Sequence, residues 1–198
     1  MKIIGFTGGI GSGKTQVLAY IEENYDCLVI LADEVAHKVK EPGQECYEAL
    51  VELLGTGILA PDGQIDRAAM AEKIFTGDKL LEKVNGLIHP AVKKYILSAI
   101  ERARREEKPD FLFIEAALLI EGGYKDIVDE LWYIYAPEQV RRDRLKASRS
   151  YSEDKITGIF GKQLSEEEFR RHCSVVIDNG GSLEDTYRQI DRKLEEYL

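Results

Sequence analysis

The sequence predicts an α/β protein with a five-stranded parallel sheet that helices cover on both faces. Short apolar runs such as "FLFIE" and "LWYIY" predict the strands, and they lack the strict alternation of a half-exposed strand. Helical segments separate these runs along the chain, which is typical of a doubly wound sheet. We place the five strands at residues 2–6, 27–32, 111–115, 131–135 and 174–177.

A glycine-rich segment joins the first predicted strand to the first predicted helix. Residues 8–15 read "GGIGSGKT", which fits the whole phosphate-loop motif G-x-x-x-x-G-K-[ST] in its required strand–helix context. In such a loop, backbone N–H groups and the helix N-terminus hold the phosphates. Lys14 supplies charge for the β- and γ-phosphates, and Thr15 offers a hydroxyl to Mg²⁺. A dinucleotide site would need glycine or alanine where Lys14 stands, so we expect the loop to bind ATP or another nucleoside triphosphate.

The composition narrows the class of protein further. A chain of 198 residues with a formal net charge of −9 argues against a broad nucleic-acid or anionic-membrane surface. No apolar run reaches the roughly 18 residues of a membrane span. Three scattered cysteines without metal-ligand spacing indicate a reducing, cytoplasmic setting. We expect a small-molecule substrate and no nucleic acid, membrane or obligatory protein partner.

Two helical segments interrupt the predicted sheet. They favour a kinase over a simple ATPase, because closure of movable parts keeps water, a competing acceptor, out of the site. The first should contain helices at about 34–40, 44–54, 66–75 and 78–107, the last broken near His89-Pro90. The prediction is one three-layer P-loop kinase domain (1–198), with a core (1–33, 108–138, 173–198), a substrate-side helical insertion (34–107) and a helical lid (139–172).

Three carboxylates and a histidine are candidates for the chemistry. Asp33 ends the second predicted strand at the carboxyl edge of the sheet, where it could act as a general base or organise Mg²⁺. It could equally cap a helix that begins at Glu34. Glu115 and Glu121 flank the segment after the third strand and could lie near Mg²⁺ or be structural. His89 is a lone histidine, a kind that is more often structural than catalytic.

The segment "QVRRDRLKASR" (139–149) concentrates positive charge in an acidic chain. Its arginines could meet the transferring phosphoryl group, or the segment could be a solvated helical face. Arg144 and Arg149 are the candidates that could bracket a loop. Because an exposed basic face contributes little to folding, their loss should affect catalysis more than stability.

These motifs together resemble the dephospho-coenzyme A kinase family over essentially the whole chain. The resemblance includes "IGFTGGIGSGKT" (4–15), "LADEVAH" (31–37), "DGQIDRAAMAEKIF" (62–75), "IHP" (88–90) and "VVIDNGG" (175–181). It implies transfer of the ATP γ-phosphate to the ribose 3′-hydroxyl of dephospho-CoA. Two departures are Ala117, where the family commonly has proline, and an extra residue between Arg144 and Arg149.

The resemblance also implies roles for individual residues. Asp33 would be the base on the acceptor hydroxyl, and the insertion that contains His89 would form the CoA side. Arg144 and Arg149 would act from the lid, and Asn179 would lie near the adenine. The residues that would hold ATP in the loop are Gly11, Ser12, Gly13, Lys14, Thr15 and Gln16.

Other functions compete with this one. The nearest is a kinase for nucleosides or nucleoside monophosphates, which would share the core and lid and differ in the insertion. A GTP-dependent switch is disfavoured, because the sequence has no N-K-x-D guanine signature.

Overall fold

The computed structural model describes residues 1–75, 77–116, 119, 120 and 122–198. The strands are β1 (Lys2–Thr7), β2 (Cys27–Leu31), β3 (Phe111–Glu115), β4 (Glu130–Tyr135) and β5 (Val175–Asp178). The helices are α1 (Lys14–Asn24), α2 (Ala32–Lys38), α3 (Tyr47–Leu54), α4 (Arg67–Ile74), α5 (Asp78–Arg105), α6 (Glu138–Arg149), α7 (Glu153–Phe160), α8 (Glu166–His172) and α9 (Leu183–Glu195). Every strand lies within one residue of its predicted bounds.

The sheet is parallel, with β1 at its centre and the order β2-β3-β1-β4-β5. Ile4 lies opposite Phe113 of β3 on one side and Glu130 of β4 on the other. The central strands are buried along most of their length, and Phe113 packs edge-on against Phe6 and Trp132. This burial confirms that the unbroken apolar runs form a sheet covered on both faces. The phosphate loop leaves β1 at the carboxyl edge of the sheet, where β3 ends in Glu115.

The predicted break at His89-Pro90 is wrong. Helix α5 runs from Asp78 to Arg105 with Pro90 inside it. A proline in a helix removes one hydrogen bond and costs about 3 kcal/mol in isolation. Here the helix buries a long apolar stripe, and this packing outweighs the cost of one proline. The buried side chains of the stripe are Val84, Ile88, Ala91, Val92, Ile96, Ala99, Ile100 and Ala103.

The chain forms two compact units. The first combines Met1–Val29 with Glu106–Leu198, and the second is Ile30–Arg105. In the first unit, α9 packs on α1 and β5, and the Ser182 hydroxyl caps α9 by accepting from the Asp185 N–H (3.1 Å). In the second unit, α5 packs against α2, α3 and α4. None of the helices described is long and apolar enough to cross a membrane.

Candidate active site

The phosphate loop adopts a backbone that side chains would obstruct. Gly11 and Gly13 have φ values of 79° and 88°, in the left-handed region that glycine tolerates. A Cβ on Gly8 would lie 2.5 Å from the Ile134 carbonyl oxygen, and one on Gly9 would overlap the Arg141 guanidinium. No side chain caps the N-terminus of α1, and its first turn has no acidic residue. The loop therefore offers backbone N–H groups and a helix N-terminus to an anion.

Lys14 begins α1 and folds back over the loop. Its ammonium donates to the Gly8 carbonyl oxygen (2.7 Å) and lies 3.6 Å from the Glu115 carboxylate. Thr15 and Gln16 follow in the same helical turn, and both are exposed. The charge of Lys14 is thus held at the loop, while the Thr15 hydroxyl is accessible from solvent.

Asn179 and Arg144 form a clamp that holds the loop, and Asn179 follows the edge strand β5. Asn179, which follows β5 and is fully buried, donates through Nδ2 to the Ser12 carbonyl oxygen (2.7 Å) and accepts at Oδ1 from the Thr186 hydroxyl (3.0 Å). Arg144 of α6 donates to the Asn179 carbonyl oxygen (2.8 Å) and to the Ser12 carbonyl oxygen (3.3 Å). These bonds fix the backbone at Ser12, next to the two left-handed glycines.

This clamp corrects the view of Arg144 as part of an exposed basic face. Its side chain is half-buried and bonded to two backbone carbonyls. Truncation of Arg144 would leave the Asn179 carbonyl oxygen without its arginine donor, so it would cost stability as well as activity. Arg149, at the exposed end of α6, lies instead over the Tyr151 ring at 6.0 Å.

Arg141 and Gln163 also reach the loop, although neither residue is assigned a specific role from the sequence alone. The Gln163 Oε1 atom accepts from the Ile10 N–H (3.3 Å) and lies 3.5 Å from Arg141 NH1. The Arg141 guanidinium stacks on Phe160 at 4.3 Å, and its buried Nε has no hydrogen-bond partner in the part of the chain described. The neutral Gln163 carboxamide oxygen therefore lies between the Ile10 N–H and the Arg141 guanidinium. An anionic oxygen at this position would interact with both groups. Nothing in the local sequence separates Arg141 from its basic neighbours in the segment 139–149.

The acceptor-side candidates lie in the unit Ile30–Arg105. Asp33 is exposed in the first turn of α2, which begins at Ala32 and has Leu31 as its N-cap. Asp33 is therefore not a helix cap, and the capping alternative is wrong. His89 is exposed within α5. A role for either residue toward an acceptor stays a prediction.

The remaining predicted acids have different outcomes. Glu115 is half-buried beside Lys14, so it has a structural partner and also lies at the phosphate loop. Glu121 and Ala117 lie outside the described residues.

The loop fits a nucleoside triphosphate with Mg²⁺. The glycines leave space where Cβ atoms would obstruct the backbone, and Lys14 and Arg141 supply the cations. The Thr15 hydroxyl and the Glu115 carboxylate are oxygen ligands of the kind that Mg²⁺ prefers, directly or through water. No cluster of three or more His, Cys, Asp and Glu residues suited to a metal occurs among the described residues. A Mg²⁺ ion here would take most of its ligands from the phosphates and from water, and few from the protein.

The parallel five-stranded sheet carries a complete phosphate loop at its carboxyl edge, and arginines of a helical segment fold onto that loop. These features together define a P-loop kinase. The family model for dephospho-CoA kinase matches residues 2–185. The chain belongs to the dephospho-CoA kinase family.

Similar proteins agree with this assignment. The dephospho-CoA kinase of Carboxydothermus hydrogenoformans is 36% identical over 96% of this chain and 91% of its own length. The dephospho-CoA kinase of Aquifex aeolicus is 37% identical over 99% of this chain and 97% of its own length. The solved dephospho-CoA kinase from Campylobacter jejuni has a TM-score of 0.74, covers 99% of this chain and 97% of its own, and at 22% identity shows the shared fold.

Proposed function

We propose that this kinase transfers the γ-phosphoryl group of ATP to the ribose 3′-hydroxyl of dephospho-CoA and releases coenzyme A and ADP. The assignment of ATP as the phosphoryl donor rests on the phosphate loop with Lys14, Arg141 and Arg144 around it. Family membership supports the choice of acceptor. Three free cysteines without a disulfide among the described residues fit the cytoplasm as the site of action.

On the ATP side, the chain supplies positioning and charge. Lys14 would exchange the Gly8 carbonyl oxygen for a phosphate oxygen, and a second phosphate oxygen would replace Gln163 Oε1 on the Ile10 N–H and Arg141. The loop from Gly11 to Gln16 would hold the triphosphate, with Asn179 fixing its backbone and Arg149 closing from the end of α6. When bound beside Thr15, Mg²⁺ would neutralise charge on the β- and γ-phosphates.

On the acceptor side, Asp33 would accept the proton of the attacking 3′-hydroxyl. Its carboxylate is exposed and does not cap α2, so it is free to face an acceptor. A base that removes this proton makes the oxygen a better nucleophile toward phosphorus. His89 would contribute to binding of the CoA moiety.

The test is phosphoryl transfer from ATP to a panel of acceptors. We expect dephospho-CoA to be phosphorylated with a kcat/KM far above those of AMP, UMP and pantothenate, measured by ADP release and by the mass of the product. Preferential turnover of AMP or UMP would support a nucleoside monophosphate kinase instead. ATP hydrolysis that no acceptor stimulates would contradict a kinase function.

The position of Arg141 over the loop predicts a catalytic role that its neighbour Arg142 lacks. Arg142 pairs with Glu138 (2.7 Å) and Glu153 (2.6 Å), and its contacts among the described residues do not include the phosphate loop. Arg141→Ala should lower kcat roughly tenfold to hundredfold, the cost of one charge-assisted hydrogen bond in the transition state. Arg142→Ala, the matched control, should leave kcat within about twofold. Steady-state kinetics with both variants would contradict this role if the two fell equally.

A further inference from the structure

A cavity of about 370 Å³ lies within the unit Ile30–Arg105, and its lining residues all belong to that unit. Its basic side is formed by His37 of α2, Lys40 just beyond α2, and Arg67 at the start of α4. In a chain with 36 acidic and 27 basic residues, this is a local excess of positive charge. Glu41 is the acidic residue of the lining, and it is exposed and forms no ion pair with Lys40 or Arg67.

The other side of the cavity is apolar. Ile65, Met70 and Ile74 line it, and Met70 is buried. The cavity therefore joins a cationic wall to a hydrophobic wall, which suits an anionic group attached to a less polar chain.

The charged form of Lys40 is destabilised by its surroundings. Its side chain is half-buried, and its ammonium has no hydrogen-bond or ion-pair partner in the described part of the chain. Burial, and then the nearby Arg67 guanidinium, lower the pKa of Lys40 below its usual range. An unpaired, partly desolvated cation beside a second cation destabilises a fold unless an anion offsets it.

Arg67 and His37 are in contact with each other. A guanidinium only donates, so the contact of Arg67 NH2 with His37 Nε2 uses that nitrogen as the acceptor, as it can be in the neutral ring. Burial, followed by the charges of Lys40 and Arg67, lowers the pKa of His37 and favours this neutral form. The contact orders the Arg67 side chain, and no acidic residue in the described part of the chain pairs with its guanidinium.

The cavity lies along the same helix as the proposed base. Asp33 and His37 are spaced i and i+4 on α2, which places them on one face, and Lys40 lies two residues beyond the end of this helix. The Asp33 carboxylate acts on His37 electrostatically, as expected for neighbours on one face. In dephospho-CoA, the 3′-hydroxyl and the 5′-linked pyrophosphate belong to one ribose, so an acceptor hydroxyl at Asp33 would direct the pyrophosphate along this face.

We propose that this cavity is the acceptor's anion subsite, in which Lys40 and Arg67 bind the pyrophosphate bridge of dephospho-CoA and the Ile65–Ile74 wall contacts the pantetheine arm. The inference rests on the proposed function, because it names the part of that substrate which this unit recognises. The bound pyrophosphate would supply the counter-charge that the described residues do not provide for the two cations.

The test uses the full-length enzyme and the single variants Lys40→Met and Arg67→Gln. In each, the dissociation constant of dephospho-CoA should rise roughly tenfold to hundredfold, the loss expected for one charge-assisted contact. It is measured by calorimetry with a non-hydrolysable ATP analogue saturating the loop. The KM for ATP should stay within twofold, and the melting temperature of Lys40→Met should be equal to or above that of the wild type.

The matched control is Lys38→Gln. This lysine lies on the same helix, but it does not line the cavity, and it bonds the Tyr95 hydroxyl (3.1 Å). The Lys38→Gln substitution removes the same charge, and the dissociation constant of dephospho-CoA should stay within twofold of the wild-type value. If Lys40→Met and Arg67→Gln bind dephospho-CoA as the wild type does, or if Lys38→Gln weakens binding as much as they do, the subsite is overturned while the proposed function stands. If the wild type neither binds nor phosphorylates dephospho-CoA, the proposed function fails and this inference fails with it.

Discussion

Lys14→Ala should lower kcat on the order of 10²–10³-fold and leave the protein folded, because it removes preorganised charge from the transferring phosphates. The Lys14 ammonium contacts the Gly8 carbonyl oxygen and the Glu115 carboxylate at the loop. The backbone of the loop is held independently by Asn179 and Arg144. Steady-state kinetics and thermal unfolding of the purified variant would measure the two effects separately.

The control for Lys14 is Lys94→Ala, which removes an exposed lysine that pairs with Glu45 on another part of the chain. Its kcat should equal that of the wild type, since exposed pairs contribute little. Unchanged kcat in a well-folded Lys14→Ala variant would contradict the assignment of the loop as the phosphate site.

Asp33→Asn should fold normally, bind ATP as the wild type does, and lose at least roughly a hundredfold in kcat with dephospho-CoA. The substitution keeps the shape of the side chain and removes its ability to take a proton at neutral pH. ATP affinity should be maintained because the residues that hold ATP belong to the phosphate loop. Kinetics beside an ATP titration would measure both quantities.

Glu34→Gln is the matched control for Asp33→Asn. Glu34 is the next residue in the same first turn of α2 and is also exposed, so the two variants lose the same charge from the same place. Their stabilities should change alike, while only Asp33→Asn should lose turnover. Near-wild-type kcat for Asp33→Asn would remove Asp33 as the base and turn attention to Glu115. The structure has already excluded the capping role, because α2 begins before Asp33.

The local elements of this protein could be predicted from the sequence because their causes are local. The strands follow from short apolar runs, and the phosphate loop follows from eight consecutive residues in a strand–helix context. The cap of α9 is local as well, because Ser182 stands directly before the acidic first turn of that helix and accepts from the Asp185 N–H. Helix α5 departs from this rule, since its buried stripe overrides the local signal of Pro90.

The sequence by itself determined the sheet, the phosphate loop and the family. The tertiary structure decided which side chains surround the loop. Asn179 and Arg144 bond to Ser12 from 167 and 132 residues away, and Gln163 bonds to Ile10 from 153 residues away. Such contacts depend on how the helices pack against the sheet, so no local pattern distinguishes Arg141 from Arg142 beside it. The cationic cavity has the same origin, because His37 and Arg67 belong to separate helices that only packing brings together.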